Sequence, residues 1–173
     1  LELMDKENDV QIETYKKTRK LFDDKTIEKY KLLSGFYAGI NNFFPGSGYI
    51  DFYQDKIFLV SALGVIGFSK FPEENKLQFY QIKNNIDEFL DINQLKGHFF
   101  SIKDLKIHND KIFISFTNEV SDGCWNISMI FADINLDELK FKKIFFPNEC
   151  IKTKNEDNEF LAVQSGGRID VID

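Results

Sequence analysis

Alternating apolar and polar positions dominate the chain from residue 48 onward. In "GYIDFYQDKIFLVSALGVIGFSK", residues 48–70, the alternation predicts a strand over Tyr49–Tyr53, a tight turn at Gln54-Asp55 and a strand over Lys56–Ala62. A break at Gly64 and a third strand over Val65–Lys70 follow. "FPEEN", residues 71–75, reads as a turn and Leu77–Lys83 as a fourth strand. The pattern then returns. Ile102–Ile107, a turn at Asn109-Asp110, Lys111–Phe116, Trp125–Asp133, a turn over 135–137 and Leu139–Phe146 make a second four-stranded meander. "YQDKIFLV" in the first aligns with "HNDKIFIS" in the second, so Lys56 and Lys111 hold the same place. "GRIDVI" at 167–172 resembles "GYIDFY" at 48–53, as if a third unit starts there.

Before the strands, residues 1–34 are charged and helical in style. Asp23 or Asp24 is placed to cap "KTIEKYKLL", where Ile27, Tyr30 and Leu33, or Ile27 and Lys31, recur at helical spacing. Residues 35–48, rich in Gly, Asn and aromatic residues, read as a loop with buried anchors. The connector 84–100 holds one helical turn, with Ile86, Phe89 and Leu90 facing inward.

Repeating four-stranded units point to an all-β, propeller-like fold. A four-stranded sheet has two apolar faces, and units packed side by side bury both. The expected organisation is an N-terminal helical arm (1–34) followed by blades over 35–173: 48–83, 101–147 and the start of a third at 167–173. A β-sandwich of two four-stranded sheets is the alternative. Propellers use roughly four to eight blades, so closing a ring requires further blades of a longer chain, a partner chain or a homo-oligomer. On this reading the repeated Asp-Lys-Ile-Phe is a turn and core signal rather than a functional one.

Composition supports strands: aromatic residues make up 15% of the 173, including 19 Phe. The net charge of −6 argues against nucleic-acid binding, and the basic run "YKKTRK" at 15–20 reads as a solvated face. No apolar run reaches the ~20 residues of a transmembrane helix. No signal peptide is visible, although the numbering starts at Leu1 and leaves room for a leader or anchor ahead of it.

Candidate chemistry is sparse. Pairing Asp133 with Leu139 would set Cys124 opposite Asn148, two positions from Cys150, within reach of a disulfide. A disulfide implies an oxidising compartment, hence a periplasmic or secreted protein, whereas two separate reduced thiols are the alternative. His98 and His108 lack neighbours at metal-ligand spacing and read as loop or surface residues, so no metal site is expected. "NIS" at 126–128 lies inside a predicted strand, which argues against a glycosylation site.

The most specific stretch is "FLAVQSGGRIDVI", 160–172: Gln164, Ser165, Gly166, Gly167 and Arg168 precede a strand. It resembles the glucose/sorbosone dehydrogenase family, six-bladed propellers that use pyrroloquinoline quinone (PQQ) and calcium to oxidise sugars. "GFYAGINNFFPGSGYIDF" further resembles the entry to the first blade in marine bacterial relatives of that family. The resemblance covers residues 35–173, about the first third of such a propeller. It implies a PQQ-dependent sugar dehydrogenase-like protein, with Gly166, Gly167 and Arg168 as rim residues. The family's catalytic His falls on Val163 or Gln164, and neither can act as a general base near neutral pH. The family's Glu-Arg pair before a glycine is Ala62-Leu63 here. A diverged or inactive member therefore fits. The competing reading is a non-enzymatic propeller-type module that binds another chain or a glycan through its sheet edges and blade faces.

Overall fold

The computed structural model describes residues 15–20, 26–31, 48–61, 64–71, 79–90, 102–153 and 166–172. They form an all-β structure of antiparallel sheets and one short parallel pair, and no sheet closes into a barrel among the described residues.

The first sheet is the meander β3 (Gly48–Tyr53), β4 (Lys56–Ser61), β5 (Ile66–Lys70) and β6 (Tyr80–Gln81), in that spatial order. The second runs β8 (Ile102–His108), β9 (Lys111–Ser121), β10 (Cys124–Asp133) and β12 (Lys142–Phe145), with β13 (Ile151–Lys152) also pairing with β10. The repeated turns fall where the alternation sets them. Asn109 and Asp110 both take positive φ, as a two-residue hairpin turn of the twist-matched kind requires, and Gln54 takes positive φ in the first unit. Asn and Asp adopt that region more readily than most residues.

Both predicted fourth strands divide. Of Leu77–Lys83, Tyr80–Gln81 stays on the first sheet as β6. Lys83–Asn84 (β7) instead pairs in parallel with Glu138–Leu139 (β11) of the second unit. Ile82 between them is fully buried, so the chain changes sheets around a core residue. The β7–β11 pair carries an exposed Lys83–Glu138 ion pair at 3.0 Å. Just beyond it, Asn85 Oδ1 accepts the Phe141 N–H at 2.8 Å. These contacts tie the two units together. In addition, β9 continues to Ser121, well past Phe116, because β10 pairs with it along its whole length.

The core lies between the units. Phe58, Val60, Ile66 and Ile82 meet Ile102, Ile112, Ile114, Phe116 and Ile130, all fully buried. Each such side chain contributes about 1.5–3 kcal/mol on burial. A 3-10 turn, Ile86–Glu88, closes one end, with Ile86 and Leu90 buried and Phe89 packed on the cluster, in the inward arrangement expected.

The helical arm is corrected where the chain is described. Tyr15–Lys20 (β1) and Thr26–Lys31 (β2) are antiparallel strands in register Tyr15↔Lys31 to Lys20↔Thr26. The spacing of Ile27 and Tyr30 suits a helix. The segment is equally rich in β-branched and aromatic residues, which favour a paired strand. The rest of the arm, the 35–47 loop, most of "FPEEN", Ala62-Leu63, His98 and the 91–100 part of the connector lie outside the described residues. No helix is long and apolar enough to cross a membrane among the described residues.

Candidate functional site

The two first strands, β3 and β8, lie side by side, and residues 166–172 lie beyond β8. Alternation turns Tyr49, Asp51 and Tyr53 of β3 toward the second unit. Asp51 Oδ2 accepts the Ile107 N–H at 2.7 Å, and its Oδ1 accepts the N–H of Phe52 at 2.8 Å. The Tyr53 hydroxyl donates to Asp110 Oδ1 at 2.7 Å. One unit further on, Asp104 repeats the tie: its Oδ2 accepts the Ile169 N–H at 2.7 Å. Asp104 is only 4% exposed. A carboxylate accepting an amide N–H in a dry setting makes one of the stronger hydrogen bonds available to it.

The predicted rim residues cluster around this second tie. Gly167 has φ +150, and its carbonyl accepts a hydrogen bond from the Ser115 hydroxyl. A Cβ at Gly167 would fall 2.5 Å from Lys103 Cβ, so the backbone passes where only glycine fits. A Cβ at Gly166 would meet nothing within 4 Å. The Arg168 guanidinium lies 3.9 Å from Asp104 Oδ1 with its side chain 90% exposed. That pair is too open to add much stability. Gln164 and Val163 lie outside the described residues.

The surrounding groups carry the electrical signature of partial burial. Burial pushes the Lys103 ammonium below its ordinary pKa. Burial, followed by the charge of Asp104, pushes the Tyr49 hydroxyl up, and Arg168 opposes the rise. The junction thus combines one exposed cation, a buried carboxylate and a half-buried phenol. It can hold a strand and present a positive charge. Among the described residues no group of three or more His, Cys, Asp or Glu side chains could hold a metal ion. His108 sits half-buried at the end of β8, opposite Lys111.

Cys124 and Cys150 form a disulfide with Cα atoms 5.4 Å apart. The register differs from the one expected. Phe131 already lies opposite Lys142, a shift between Met129 and Ile130 then puts Met129 opposite Phe145, and β13 brings Lys152 opposite Cys124. Asn126 Nδ2 donates to the carbonyls of Pro147 and Glu149 at 2.7 and 3.1 Å, holding the loop that presents Cys150. The bond points to an oxidising, extracytoplasmic environment. Elsewhere, Glu88, Asn118, Glu119 and Lys143 line an open cavity of ≈ 330 Å³. The Lys143 ammonium lies there 4.7 Å from the centroid of the Phe146 ring.

Tyr49, Asp51, Lys103, Asp104 and Ser115 escape a search for motifs. The available signal is a lone Asp inside an apolar first strand: "YIDFY", "IKDLK" and "RIDVI" each carry one. Comparison of the chain with protein-family models, curated proteins and solved structures found no match.

Proposed function

We propose that this chain is the N-terminal portion of a PQQ sugar dehydrogenase-like propeller, diverged in its chemistry, that works at the periplasmic or secreted side of the cell. In this reading it contributes ligand binding at the end of its first strands. The supporting observation is Arg168. It stands almost fully exposed in the segment 166–172, which forms no strand, while the Asp104 beside it accepts the Ile169 amide. A guanidinium so placed suits a carboxylate or another anionic group.

The described residues fit an anion and do not fit calcium, since they offer no cluster of acidic ligands. Thermal unfolding with PQQ alone, calcium alone and both tests the reading, together with dye reduction using aldoses. Stabilisation by PQQ that Arg168→Ala removes is the expected result. A melting temperature unmoved by PQQ, with no dye reduction, would overturn it. A second reading, a module that works by assembly, is favoured by a separate observation: both Ile50 and Phe52 are exposed on one face of β3.

A further inference from the structure

The cleft of ≈ 330 Å³ beside the 3-10 turn shares no residue with the Arg168 junction. Three parts of the chain wall it. Glu88 and Phe89 come from the end of the turn, residues 118–120 from the far end of β9, and Lys143 and residues 146–148 from β12 and the loop after it. These walls are held by contacts of the fold itself. The Phe146 ring lies 5.8 Å from that of Phe116 and 6.4 Å from that of Phe89, centroid to centroid. The Asn126 amide holds the carbonyls of Pro147 and Glu149, and the Cys124–Cys150 bond closes the loop just beyond. Asn126 in turn lies opposite Asn118 across the β9–β10 ladder. A site built in advance costs less to occupy.

Much of the polar lining is unspent. Glu88 Oε2 accepts from the Asn85 amide at 2.9 Å, and Glu119 Oε1 accepts the Gly123 N–H at 2.8 Å. The second oxygen of each carboxylate, the side-chain amides of Asn118 and Asn148, and the Lys143 ammonium make no hydrogen bond or ion pair among the described residues. The charges decide what such a lining accepts. An anion meets two carboxylates. An organic cation finds the Phe146 ring face taken by the Lys143 ammonium, 4.7 Å from its centroid. A neutral polyol meets neither obstacle. Its hydroxyls donate to carboxylate and amide oxygens and accept from ammonium and amide N–H groups, which is the mixture present.

We infer that this cleft binds a neutral saccharide. Lys143 and Asn148 donate to its hydroxyls, and the open oxygens of Glu88 and Glu119 accept from them. Phe89, Phe146 and Pro147 give its C–H faces apolar contact. The volume lies at the small end of ligand sites, about 300–1,000 Å³, and suits one or two sugar units. This binding is independent of PQQ and of Arg168.

Titration of the chain with glucose, galactose, N-acetylglucosamine and cellobiose, read by backbone amide NMR shifts, tests it, with inorganic phosphate and choline as ionic controls. The expected result is saturable shifts at Glu88, Glu119 and Lys143 from at least one sugar, with Kd on the order of 1 mM, and none there from the ions. Lys143→Ala and Asn148→Ala each weaken that binding about 10-fold. Both side chains are exposed and make no hydrogen bond among the described residues, so both variants keep the parent's melting temperature. Arg168→Ala leaves sugar binding unchanged even where it abolishes binding of PQQ, which separates the two sites. Absence of shifts at these amides with every sugar up to tens of millimolar overturns the proposal. So does phosphate or choline that binds there as well as the sugars do, or a pair of variants that bind like the parent.

Discussion

Gly167→Ala isolates the feature that seats the segment 166–172 against β8. The added Cβ would lie 2.5 Å from Lys103 Cβ and 3.1 Å from its Cγ. Carbon atoms in contact normally sit about 3.5–4.0 Å apart. Lys103 Cβ is rooted in the β8 backbone and cannot swing aside as a side-chain tip would. The φ of +150 adds backbone strain for any L-residue, of order 1–3 kcal/mol. Relief comes from lifting the segment off β8, which loses the Ser115–Gly167 and Asp104–Ile169 hydrogen bonds. Local opening should then become easier by about 2–4 kcal/mol. At 1.36 kcal/mol per tenfold, that is roughly 30- to 1000-fold faster amide exchange at Ile169. Residue-resolved hydrogen exchange reads this directly. Exchange at Ile112 and Ile114 in the core should stay nearly as slow as in the parent. Gly166→Ala is the control, because its Cβ meets nothing, and it should change stability by no more than ~0.5 kcal/mol. Unchanged protection at Ile169 in Gly167→Ala, or equal effects of the two alanines, would refute the argument that the Lys103 contact makes glycine necessary.

Other outcomes follow from the same contacts. Reducing the Cys124–Cys150 bond, which spans a sequence separation of 26, should lower unfolding free energy by about 3–4 kcal/mol in urea titrations with and without dithiothreitol. Phe116→Ala, at a fully buried position, should cost about 3–5 kcal/mol by the same titration. Hydrogen bonds from Lys83 and then Lys140 hold the Glu138 carboxyl below its ordinary pKa, and a hydrogen bond from Lys111 does the same for Asp133. Carboxyls depressed in the folded state stabilise it above their unfolded pKa, and that contribution is lost as pH falls through the folded one. Thermal melts should therefore show a small loss of stability below pH about 4, and added salt should shrink it because these groups are exposed.

Much of the sheet architecture was legible because period-2 alternation and turn residues are local signals. The two Asp-Lys-Ile-Phe copies begin in the hairpin turns of both units, and Ile57, Ile112 and Phe58 are buried while Phe113 stacks on Phe131. The disulfide was legible as well, since antiparallel neighbours joined by a short turn bring sequence-distant positions into reach. Its register was not, because the shift at Met129/Ile130 leaves no mark on the alternation. The split fourth strands were also hidden. Whether residues 80–84 stay on one sheet depends on what Ile82 packs against, and that partner comes from elsewhere in the chain. The helical reading failed over Thr26–Lys31, where Ile27 and Tyr30 satisfy both periods, leaving pairing with residues 15–20 to decide.

For the junction, the division is sharper. Sequence alone determined that glycines and an arginine open a stretch resembling the first strand, because composition and repetition are written in the order of residues; residues 166–172 form no strand. Only tertiary structure decided that Asp51 ties β3 to β8 and Asp104 ties β8 to the segment 166–172, that Gly167 must lack a side chain, and that Arg168 stands open. Each of those depends on distance between residues about 50 or more apart in the chain, as with the carboxylate of Asp104 and the amide of Ile169. A hydrogen bond between such groups forms when packing of the core brings two strands to the right separation. Local propensity carries no information about that separation.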